Sequence, residues 1–573
     1  MNIILRLKKE IINMIKNIFN LSFDNIKNIN VLLNVDKDKE FGDLSCNAAM
    51  VLSKELEDKP REIAKKISDY ISNKDNFPFN SLIKKYIKSV QIAGPGFLNM
   101  NLNDCIFSDI AKELFLRKED CFKLGKDEKK IKFLIEFVSA NPTGPLHIGH
   151  GRNGIIGDVL ANVLNFLGHS ATREFYINDL GSQIIKLGQS FKVRCKQQLG
   201  INEELPEDGY KGEYLINLAK ECIKDHGKKL LENDDEFFSD YAKNKILEIQ
   251  KKDLADYGII FDKWFSEKEL HESGAIQEAL ELLKNKDLAY EKDGALWFRS
   301  TQFGDDKDRV IRKSTGEFTY ITPDIAYHKN KFERGFDKLI DVLGQDHHGY
   351  ITRLKATIQA LGFDSQNLKV ILYQMVSLKH EGIEVRMSKR AGRFTTLKEV
   401  INTVGKDVAR FFYLNRKAEA HLTFDLSIAL KKTEENPVFY IQYAYVRTRG
   451  IFQNAEQKEE LKDFVKDLLK NKLSDEEFEC ISNSFGKAEF NLIKKLIGLD
   501  DVLCNISQSY QTHLLSYYVY EMVHSFHNYY TNNRIINVQN VELTKSRLLL
   551  VFLVRMVLQI SFDLLGISKL EKM

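Results

Sequence analysis

The sequence predicts a multidomain α/β protein built around an open parallel sheet. Short apolar runs that end in Gly- or Asn-containing loops recur between residues 131 and 376, and helical patterns lie between several of them. That alternation is typical of parallel strands joined by crossover helices. The chain has 573 residues, and at about 100–200 residues per domain this length predicts roughly three to five domains.

A first module of mixed α and β structure is expected over residues 1–115. Residues 3–19 and 60–71 follow a helical period, while residues 90–99 predict two strands joined by a turn. The first helix places one set of apolar residues on a single face, namely Ile4, Leu7, Ile11, Met14, Ile15 and Ile18. Its lysines are expected to lie away from that face, at Lys8, Lys9 and Lys16.

The parallel sheet is expected over residues 116–430. Its buried strands are predicted at residues 131–138, 173–177, 338–343 and 370–376. The charged, helical stretch from about residue 190 to 290 is interpreted as an insertion between two halves of the sheet. After about residue 430 every periodic segment is helical, which predicts an all-α bundle over residues 431–573.

Composition excludes several classes of protein. Hydrophobic residues make up 43% and charged residues 29%, with 84 Lys+Arg against 81 Asp+Glu, so a disordered or fibrous chain is excluded. No apolar run reaches the roughly 20 residues of a bilayer span, because Arg555 ends the longest run, residues 548–554. The 7 cysteines have no CxxC spacing, so we expect no zinc, no disulfides, no membrane partner and a cytoplasmic location.

The most informative segment, residues 133–151, joins the first predicted strand to a helix. The helix is expected from about residue 149 to 167, with Gly168 as its C-terminal cap. Ligands of parallel sheets bind at such a corner, where a helix N-terminus attracts phosphate. His147 and His150 lie at that N-terminus. They could instead cap the helix or form half of a zinc site, but no third metal ligand lies nearby in the sequence.

A second cationic segment, residues 384–394, follows the last predicted strand. In it, basic side chains surround a small serine and a glycine. By charge alone such a segment is an ordinary solvated loop, yet its place after a strand puts it at the same edge of the sheet as His147. Together the two elements could stabilise negative charge on a bound phosphate group.

These motifs carry a resemblance to a known family. Residues 140–150 resemble the HIGH signature of class I aminoacyl-tRNA synthetases, and the longer stretch 136–150 resembles the arginyl-tRNA synthetases in particular. Residues 384–394 resemble the KMSKS loop of the same class, with Arg386 in place of its first lysine and Arg390 in place of its last serine. Further matches in the same order cover nearly the whole chain, at residues 41–45, 94–99, 294–299, 319–326, 344–349, 436–444 and 565–573.

The resemblance implies an N-terminal tRNA-contacting module, a Rossmann-like catalytic domain with HIGH- and KMSKS-type elements, and an anticodon-binding bundle. It implies ATP-dependent activation of L-arginine to arginyl-adenylate and transfer of arginine to the 3'-terminal ribose of tRNA(Arg), with tRNA required for activation. Mg²⁺ is expected to arrive with ATP rather than in a protein site. A monomer is expected.

For the phosphate side, the resemblance implies catalytic roles for His147, His150 and Lys389. It implies that ATP contacts Gly144, Gly149, His347, His348, Arg386, Met387, Ser388 and Lys389. The loop around His347 could in principle bind a metal, but its flanking glycines favour a sheet-edge loop. A further hypothesis is that Lys132 supplies charge that the irregular KMSKS-like loop lacks.

For the amino-acid side, the resemblance implies that arginine is held by Glu136, Ser139, Asn141, Tyr320, Asp324 and Gln345. A carboxylate can grip the forked guanidinium through two hydrogen bonds, a geometry that an ammonium group does not use. Glu136 lies in a buried strand, and its alternative interpretation is an internal pair with a lysine or an arginine.

For the RNA, the resemblance implies contacts from Phe97, Asn99, Tyr443 and Arg447. Aromatic and basic side chains suit unpaired bases, but tyrosines at helical spacing are more often part of a core. Two rival functions remain open at this point. A cysteinyl-type ligase would need clustered zinc-binding cysteines, and a non-catalytic RNA-binding relative would be expected to lack His147, His150 or Lys389.

Overall fold

The computed structural model describes residues 2–35, 41–125, 128–385 and 396–573. The N-terminal module contains α1 (Ile3–Ile18), α2 (Phe23–Ile26), β1 (Val31–Leu33), β2 (Leu44–Cys46), α3 (Ala48–Leu52), α4 (Pro60–Ser72), α5 (Leu82–Tyr86), β3 (Ile87–Ala93), β4 (Phe97–Leu102) and α6 (Cys105–Arg117). Its strands form an antiparallel sheet in the order β1-β2-β4-β3. The predicted α+β character is confirmed, and the apolar face of α1 is buried as its period indicates.

One lysine of α1 departs from its prediction. Lys8 is buried, and its ammonium group donates to Asp501 Oδ2 of the C-terminal bundle at 2.7 Å. The expectation that Lys8 lies away from the packed face is wrong, because burial of a lysine is tolerated where a carboxylate pairs with it. The pair joins the N-terminal module to the bundle.

The first part of the parallel-sheet region contains β5 (Lys132–Glu136), α7 (Ile148–Leu167), β6 (Ser170–Ile177), α8 (Ser182–Gln198), α9 (Glu213–His226), α10 (Asp235–Asp256), β7 (Lys263–Ser266), α11 (Glu267–Glu272), α12 (Ala275–Asn285), β8 (Ala289–Lys292), β9 (Ala295–Phe298) and β10 (Arg309–Arg312). Its second part contains α13 (Ile321–Glu333), β11 (Lys338–Gly344), α14 (Ile351–Leu361), β12 (Leu368–Tyr373), β13 (Val376–His380), β14 (Ile383–Val385), α15 (Leu397–Val404), α16 (Lys406–Tyr413), β15 (Leu422–Asp425) and α17 (Leu426–Ala429).

A five-stranded parallel sheet forms the centre of this region, in the order β12-β11-β5-β6-β7. Helix α7 connects β5 to β6 and α14 connects β11 to β12, so the strands are joined by crossover helices as predicted. The Rossmann-like architecture is confirmed. Two smaller sheets, β10-β9-β8 and β14-β13-β15, lie outside the parallel one.

Two strands differ from their predictions. The run predicted over 370–376 is divided, because β12 ends at Tyr373 and β13 begins at Val376 in a different sheet. Strand β7 lies within the stretch interpreted as a helical insertion, yet it pairs with β6 as an edge of the central sheet. Its 4 residues are too few to show a period among helical neighbours.

The C-terminal bundle is helical throughout, as predicted. It contains α18 (Pro437–Glu456), α19 (Glu459–Leu469), α20 (Asp475–Ser482), α21 (Lys487–Ile497), α22 (Leu499–Ser509), α23 (His513–Asn532) and α24 (Val541–Leu565). Within the described ranges α24 alone has the length and apolarity of a membrane span, and 78% of its most apolar window is buried in the protein. Its apolar surface therefore serves as the core of the bundle.

Arg410 of α16 joins the parallel-sheet region to the bundle. It is 1% exposed, and it donates to Asp158 Oδ2 of α7 at 2.6 Å and to the Leu565 carbonyl of α24 at 2.7 Å. Arg173 of β6 donates to the other oxygen of Asp158 at 3.1 Å. Gly566 has φ +68°, and a Cβ at that position would lie 2.4 Å from Arg410 Nη2. The guanidinium is thus in close contact with the backbone at the end of α24.

Replacing Arg410 with methionine is expected to destabilise the protein by about 3–5 kcal/mol, because the buried Asp158 carboxylate then keeps only Arg173 of its two cationic partners. The measurement is the urea concentration at the unfolding midpoint, followed by circular dichroism. Arg416→Met, at an exposed position three residues beyond α16, is the control and should change the midpoint little. Equal midpoints for the two variants would contradict the role given to Arg410.

Candidate active site

The predicted corner between β5 and α7 is present, and both histidines lie at the N-terminus of α7. His147 is the N-cap, and its Nδ1 accepts from the Gly149 amide at 3.1 Å. His150 Nδ1 accepts from the His147 amide at 3.2 Å, and the two rings stack with centroids 3.7 Å apart. A Cβ on Gly149 would lie 2.9 Å from His147 Cε1, so this arrangement requires glycine. The alternative interpretation, that the histidines cap the helix, therefore holds for their Nδ1 atoms. The same helix N-terminus is also suited to bind phosphate.

The strand that enters this corner ends in an unusual backbone. Val138 and Ser139 have positive φ values of 65° and 40°, which are rare for residues other than glycine. The Val138 amide donates to Asn153 Oδ1 at 2.8 Å, and Asn153 Nδ2 donates to the Val342 carbonyl of β11 at 2.9 Å. Asn153 therefore holds a strained turn against the neighbouring strand. Sequence reasoning missed this residue, because it lies within a regular helical pattern.

The loop before α7 is held by the helical insertion. Gln250 of α10 donates to the carbonyl oxygens of Asn141 at 3.1 Å and Gly144 at 2.8 Å. The Tyr214 hydroxyl of α9 donates to the Thr143 carbonyl at 2.6 Å. The insertion thus fixes a loop that the sequence places beside the nucleotide corner, a role that its charged helical pattern does not indicate.

The chain returns to the corner after the KMSKS-like segment. Thr396 forms a bridge with His147, and the Leu397 amide donates to the Leu146 carbonyl at 2.8 Å. The residues at positions 396 and 397 therefore lie beside the N-terminus of α7. Four predicted ATP-binding residues lie outside the described part of the chain, namely Arg386, Met387, Ser388 and Lys389.

Lys132 lies at the wrong end of the sheet for its predicted role. It is the first residue of β5 and Glu136 is the last, so the two are separated by about 13 Å at 3.3 Å per residue. The hypothesis that Lys132 adds charge at the phosphate corner is wrong, because the corner lies at the carboxyl end of the strand.

Three carboxylates lie side by side across the central strands. Asp341 of β11 is in register with Glu136 of β5, and Glu136 is in register with Glu174 of β6. Lys331 of α13 donates to Glu136 at 2.6 Å and to Asp341 at 2.8 Å. Arg334, the C-cap of α13, donates to Glu174 at 2.8 Å. We call these acids the carboxylate row. The internal pairing that was the alternative interpretation of Glu136 is therefore present.

A second group of acids lies beside the row, at the carboxyl ends of β6 and β7. The pKa of Glu267 is raised to about 7, mainly by burial, with the Tyr176 hydroxyl acting against this and Asp324 and Asp179 adding to it. Burial likewise raises the pKa of Asp324, whose carboxylate accepts from the Tyr350 hydroxyl. These are acids held in a partly dry environment, and carboxyl groups with perturbed pKa values in such a place are candidates for a functional site.

Tyr176 brings the two groups of acids together. After burial, the largest causes of its raised pKa are Glu267, Asp324 and Glu136, so all three carboxyl groups lie near this ring. Ser139 donates to Glu136 Oε1 at 2.9 Å and accepts from the Tyr176 amide at 3.1 Å. Sequence reasoning missed Glu267 because it follows the short strand inside the supposed helical insertion.

The remaining predicted ligand residues lie on the rim of the sheet. Tyr320, the residue before α13, is 84% exposed. The turn after β11 carries Gln345, His347 and His348, and the His347 ring lies 3.7 Å from Asp346 Oδ2. Within the ranges that the structure describes, no group of three or more His, Cys, Asp or Glu side chains could hold a metal ion.

The predicted RNA contacts of the bundle belong to a stack of rings. The Arg447 guanidinium lies 4.6 Å from the Tyr443 ring centre and 4.7 Å from that of Tyr530. It also contacts His527 Nδ1 at 2.5 Å. Burial and then Arg447 lower the pKa of His527 to about 4, so this imidazole is neutral and accepts from the guanidinium. Sequence reasoning missed Tyr530 and His527, which lie on the distant helix α23.

The predicted RNA contacts of the N-terminal module differ in exposure. Phe97, at the start of β4, is 39% exposed, whereas Asn99 is 3% exposed. Asn99 lies opposite Ser45 on one neighbouring strand and Gln91 on the other. The exposed ring of Phe97 can stack on a base, while Asn99 offers little surface.

Comparison with known proteins assigns each part of the chain. Residues 110–413 match the family model of tRNA synthetases class I (R), catalytic domain. Residues 5–102 match the arginyl tRNA synthetase N terminal domain, and residues 441–573 match the DALR anticodon binding domain. The three matches follow the order of the N-terminal module, the parallel-sheet region and the bundle.

Whole-chain relatives agree with these models. Arginine–tRNA ligase 1 of Halalkalibacterium halodurans is 39% identical over 95% of this chain and 94% of its own. Arginine–tRNA ligase of Geobacter sp. is 41% identical over 94% of this chain and 95% of its own. The Thermus thermophilus arginyl-tRNA synthetase structure shares the fold at a TM-score of 0.74, covering 98% of this chain and 99% of that one at 20% identity. The chain belongs to the arginyl-tRNA synthetase family of class I aminoacyl-tRNA synthetases.

Proposed function

We propose that this protein is an arginine–tRNA ligase of protein synthesis. It activates L-arginine with ATP to form arginyl-adenylate and pyrophosphate, and it transfers arginine to the 3'-terminal ribose of tRNA(Arg). The observation that carries the proposal is the half-buried acid group of Glu267 and Asp324, whose pKa values are raised, at the same edge of the sheet as the N-terminus of α7. One cleft thus offers a site for a cation beside a site for phosphate.

On the phosphate side, the protein stabilises charge rather than transferring protons. When the arginine carboxylate attacks the α-phosphate, negative charge develops on the phosphoryl and pyrophosphate oxygens. The N-terminus of α7, His147 and His150 lie where that charge forms, and Lys389 is assigned the same role by its place in the KMSKS-like segment. Removal of one such donor typically costs about 3–4 kcal/mol of transition-state stabilisation. Mg²⁺ enters with ATP as part of the substrate.

On the amino-acid side, Asp324 and Glu267 hold the guanidinium. Two acids can share the planar cation through charge-assisted hydrogen bonds, while Tyr320, Asn141 and Gln345 line the rim. Lysine is rejected because its ammonium group cannot reach all the carboxylate oxygens that accept from the forked guanidinium of arginine. Some of these acceptors are then left without partners. Glu136 lies nearer than Asp324 and Glu267 to the corner between β5 and α7, which begins with Ser139.

RNA binds across two surfaces in this proposal. Phe97 stacks on a base at the N-terminal module, and the exposed side of the stack of Tyr443, Arg447 and Tyr530 receives bases of the anticodon loop. The protein acts as a cytoplasmic monomer.

The test is aminoacylation of purified tRNA(Arg) by the full chain, with each of the twenty amino acids in turn. We expect charging with arginine alone. Charging with another amino acid, or none with any, would contradict the proposed function. Pyrophosphate exchange is measured with and without tRNA(Arg), because an assay without tRNA is expected to be inactive.

Gly149→Ala is expected to lower the rate of adenylate formation by about 10²-fold, a typical effect of a misplaced catalytic group. The new Cβ would meet His147 at 2.9 Å and displace its ring from His150. Unfolding temperature should not fall, since alanine favours a helix over glycine. Gly450→Ala, in α18 where a Cβ meets no atom within 4 Å, is the matched control. Equal rates for the two variants would speak against the ring arrangement.

The KM for arginine is expected to fall by up to about tenfold between pH 6 and pH 8, because a carboxyl with a pKa of about 7 is neutral below that pH and attracts a cation above it. Glu267→Gln should raise KM and remove most of this dependence. The measurement is a pH series of initial aminoacylation rates. Glu269→Gln, at an exposed position on α11, is the control and should keep the wild-type profile.

A further inference from the structure

We propose that Lys331 is a positioning residue for the arginine substrate, which keeps the Glu136 carboxylate ionised and fixed so that it can accept from a cationic group of the ligand. The inference rests on the proposed function and extends it to a residue that never touches the substrate. Lys331, Asp341 and His328 lie outside every set of ligand residues considered above.

The exposure of the carboxylate row shows which of its members can meet a ligand. The Glu174 side chain is 0% exposed and that of Asp341 is 4% exposed, whereas the Glu136 side chain keeps 12%. Glu136 also ends β5, directly before the corner that carries the strained turn at Val138 and Ser139. Of the three acids, Glu136 is therefore the one that faces the cleft.

Lys331 and Ser139 hold the two oxygens of Glu136 separately. The Lys331 ammonium, 0% exposed, donates to Oε2 at 2.6 Å, and the Ser139 hydroxyl donates to Oε1 at 2.9 Å. Each carboxylate oxygen can accept more than one hydrogen bond, so this fixation leaves acceptor capacity toward the cleft. Lys331 is itself held by Asp341 at 2.8 Å and by the Tyr327 ring, whose centre is 4.3 Å away.

His328 of α13 is a further contact of Asp341, the acid that also holds Lys331. Its Nδ1 lies 2.9 Å from the Asp324 carbonyl oxygen and its Nε2 lies 3.0 Å from Asp341 Oδ2. Both ring nitrogens therefore contact oxygen atoms, one on α13 itself and one on β11. Although burial acts to raise the pKa of Asp341, Lys331 and His328 hold it well below the usual range. Lys331 and His328 of α13 thus both contact Asp341, the neighbour of Glu136 in the carboxylate row.

Without Lys331, Glu136 would lose its charge. Burial raises the pKa of Glu136, Lys331 opposes that rise, and Asp341 adds to it. The other titratable or charged groups near Glu136 come from α13, from its C-cap and from β6, and they are Tyr327, His328, Arg334, Glu174 and Tyr176. Only Lys331 among the cations donates directly to the Glu136 carboxylate in the described structure, so its removal leaves a buried acid that takes up a proton.

The experiment compares Lys331→Met with Lys329→Met, which removes a half-buried lysine paired with Glu333 at 2.7 Å on the same helix. The KM for arginine is measured in aminoacylation with tRNA(Arg) from pH 6.5 to pH 9. We expect the ratio of variant to wild-type KM to be at least tenfold at pH 7 for Lys331→Met and to shrink as the pH rises, because a higher pH favours the ionised form of Glu136. Use of the ratio cancels the titration of Glu267 and of arginine itself.

Three comparisons make the result specific. The ratio for Lys329→Met should stay near one, and the KM for ATP should be unchanged in both variants. In a Glu136→Gln background, adding Lys331→Met should leave no pH-dependent ratio, because the titrating group is gone. A ratio that is near one, or that is constant across pH, would overturn the inference.

Lys331→Met leaves an excess of buried negative charge, which can prevent folding. The double variant Lys331→Met/Asp341→Asn removes one cation and one anion, which restores the balance of buried charge. Because Asp341 also raises the pKa of Glu136, we expect the KM ratio of this variant to remain pH-dependent but to be smaller than that of Lys331→Met. If the wild-type protein does not attach arginine to tRNA(Arg), that result contradicts both the proposed function and this inference. Wild-type charging with a flat ratio in the double variant removes this inference alone.

Discussion

A carboxylate inside a parallel sheet is costly to bury, and here three occupy neighbouring strands at one register, Asp341, Glu136 and Glu174. Each needs a cation, and α13 with its C-cap provides them. This requirement fixes where α13 lies over the sheet. It thereby also fixes Asp324, which is on the same helix and forms part of the acid group at the sheet edge.

The two halves of the site that we propose for arginine and ATP rely on different physics. The amino-acid half depends on charge, since its carboxyl groups have raised pKa values and are stabilised by a cationic partner. The phosphate half depends on backbone geometry, with a helix N-terminus, stacked rings and a left-handed turn that Asn153 secures. The strained turn and the desolvated carboxyl groups both reduce the stability of the fold. In both cases the groups that stabilise them lie in helices packed around the sheet.

Local patterns in the sequence predict much of the fold. The strand at 131–138, the helix that ends at Gly168 and the all-helical bundle have clear periods and caps, and the structure contains them. Strand β7 could not be predicted, because four residues show no period. The division at residues 373–376 was likewise hidden, because one apolar run serves two sheets.

The candidate site is less accessible to such reasoning. His147 and His150 form a local motif, but Lys331 lies 195 positions from Glu136, and no spacing rule links residues that far apart. A partial signal was present on α13, where Asp324, His328 and Lys331 follow at intervals of four and three and so share one face. The sequence does not indicate which strand of the sheet packs against that face of α13.

The position of Arg410 also has a consequence for synthesis of the chain. Its guanidinium is enclosed by the Leu565 carbonyl and Gly566, which the ribosome adds more than a hundred residues after the last strand of the parallel sheet. Asp158 can contact Arg173 of β6 without that segment, but Arg410 reaches the Leu565 carbonyl only when α24 is complete. The junction between the parallel-sheet region and the bundle can therefore close only after the bundle has been synthesised.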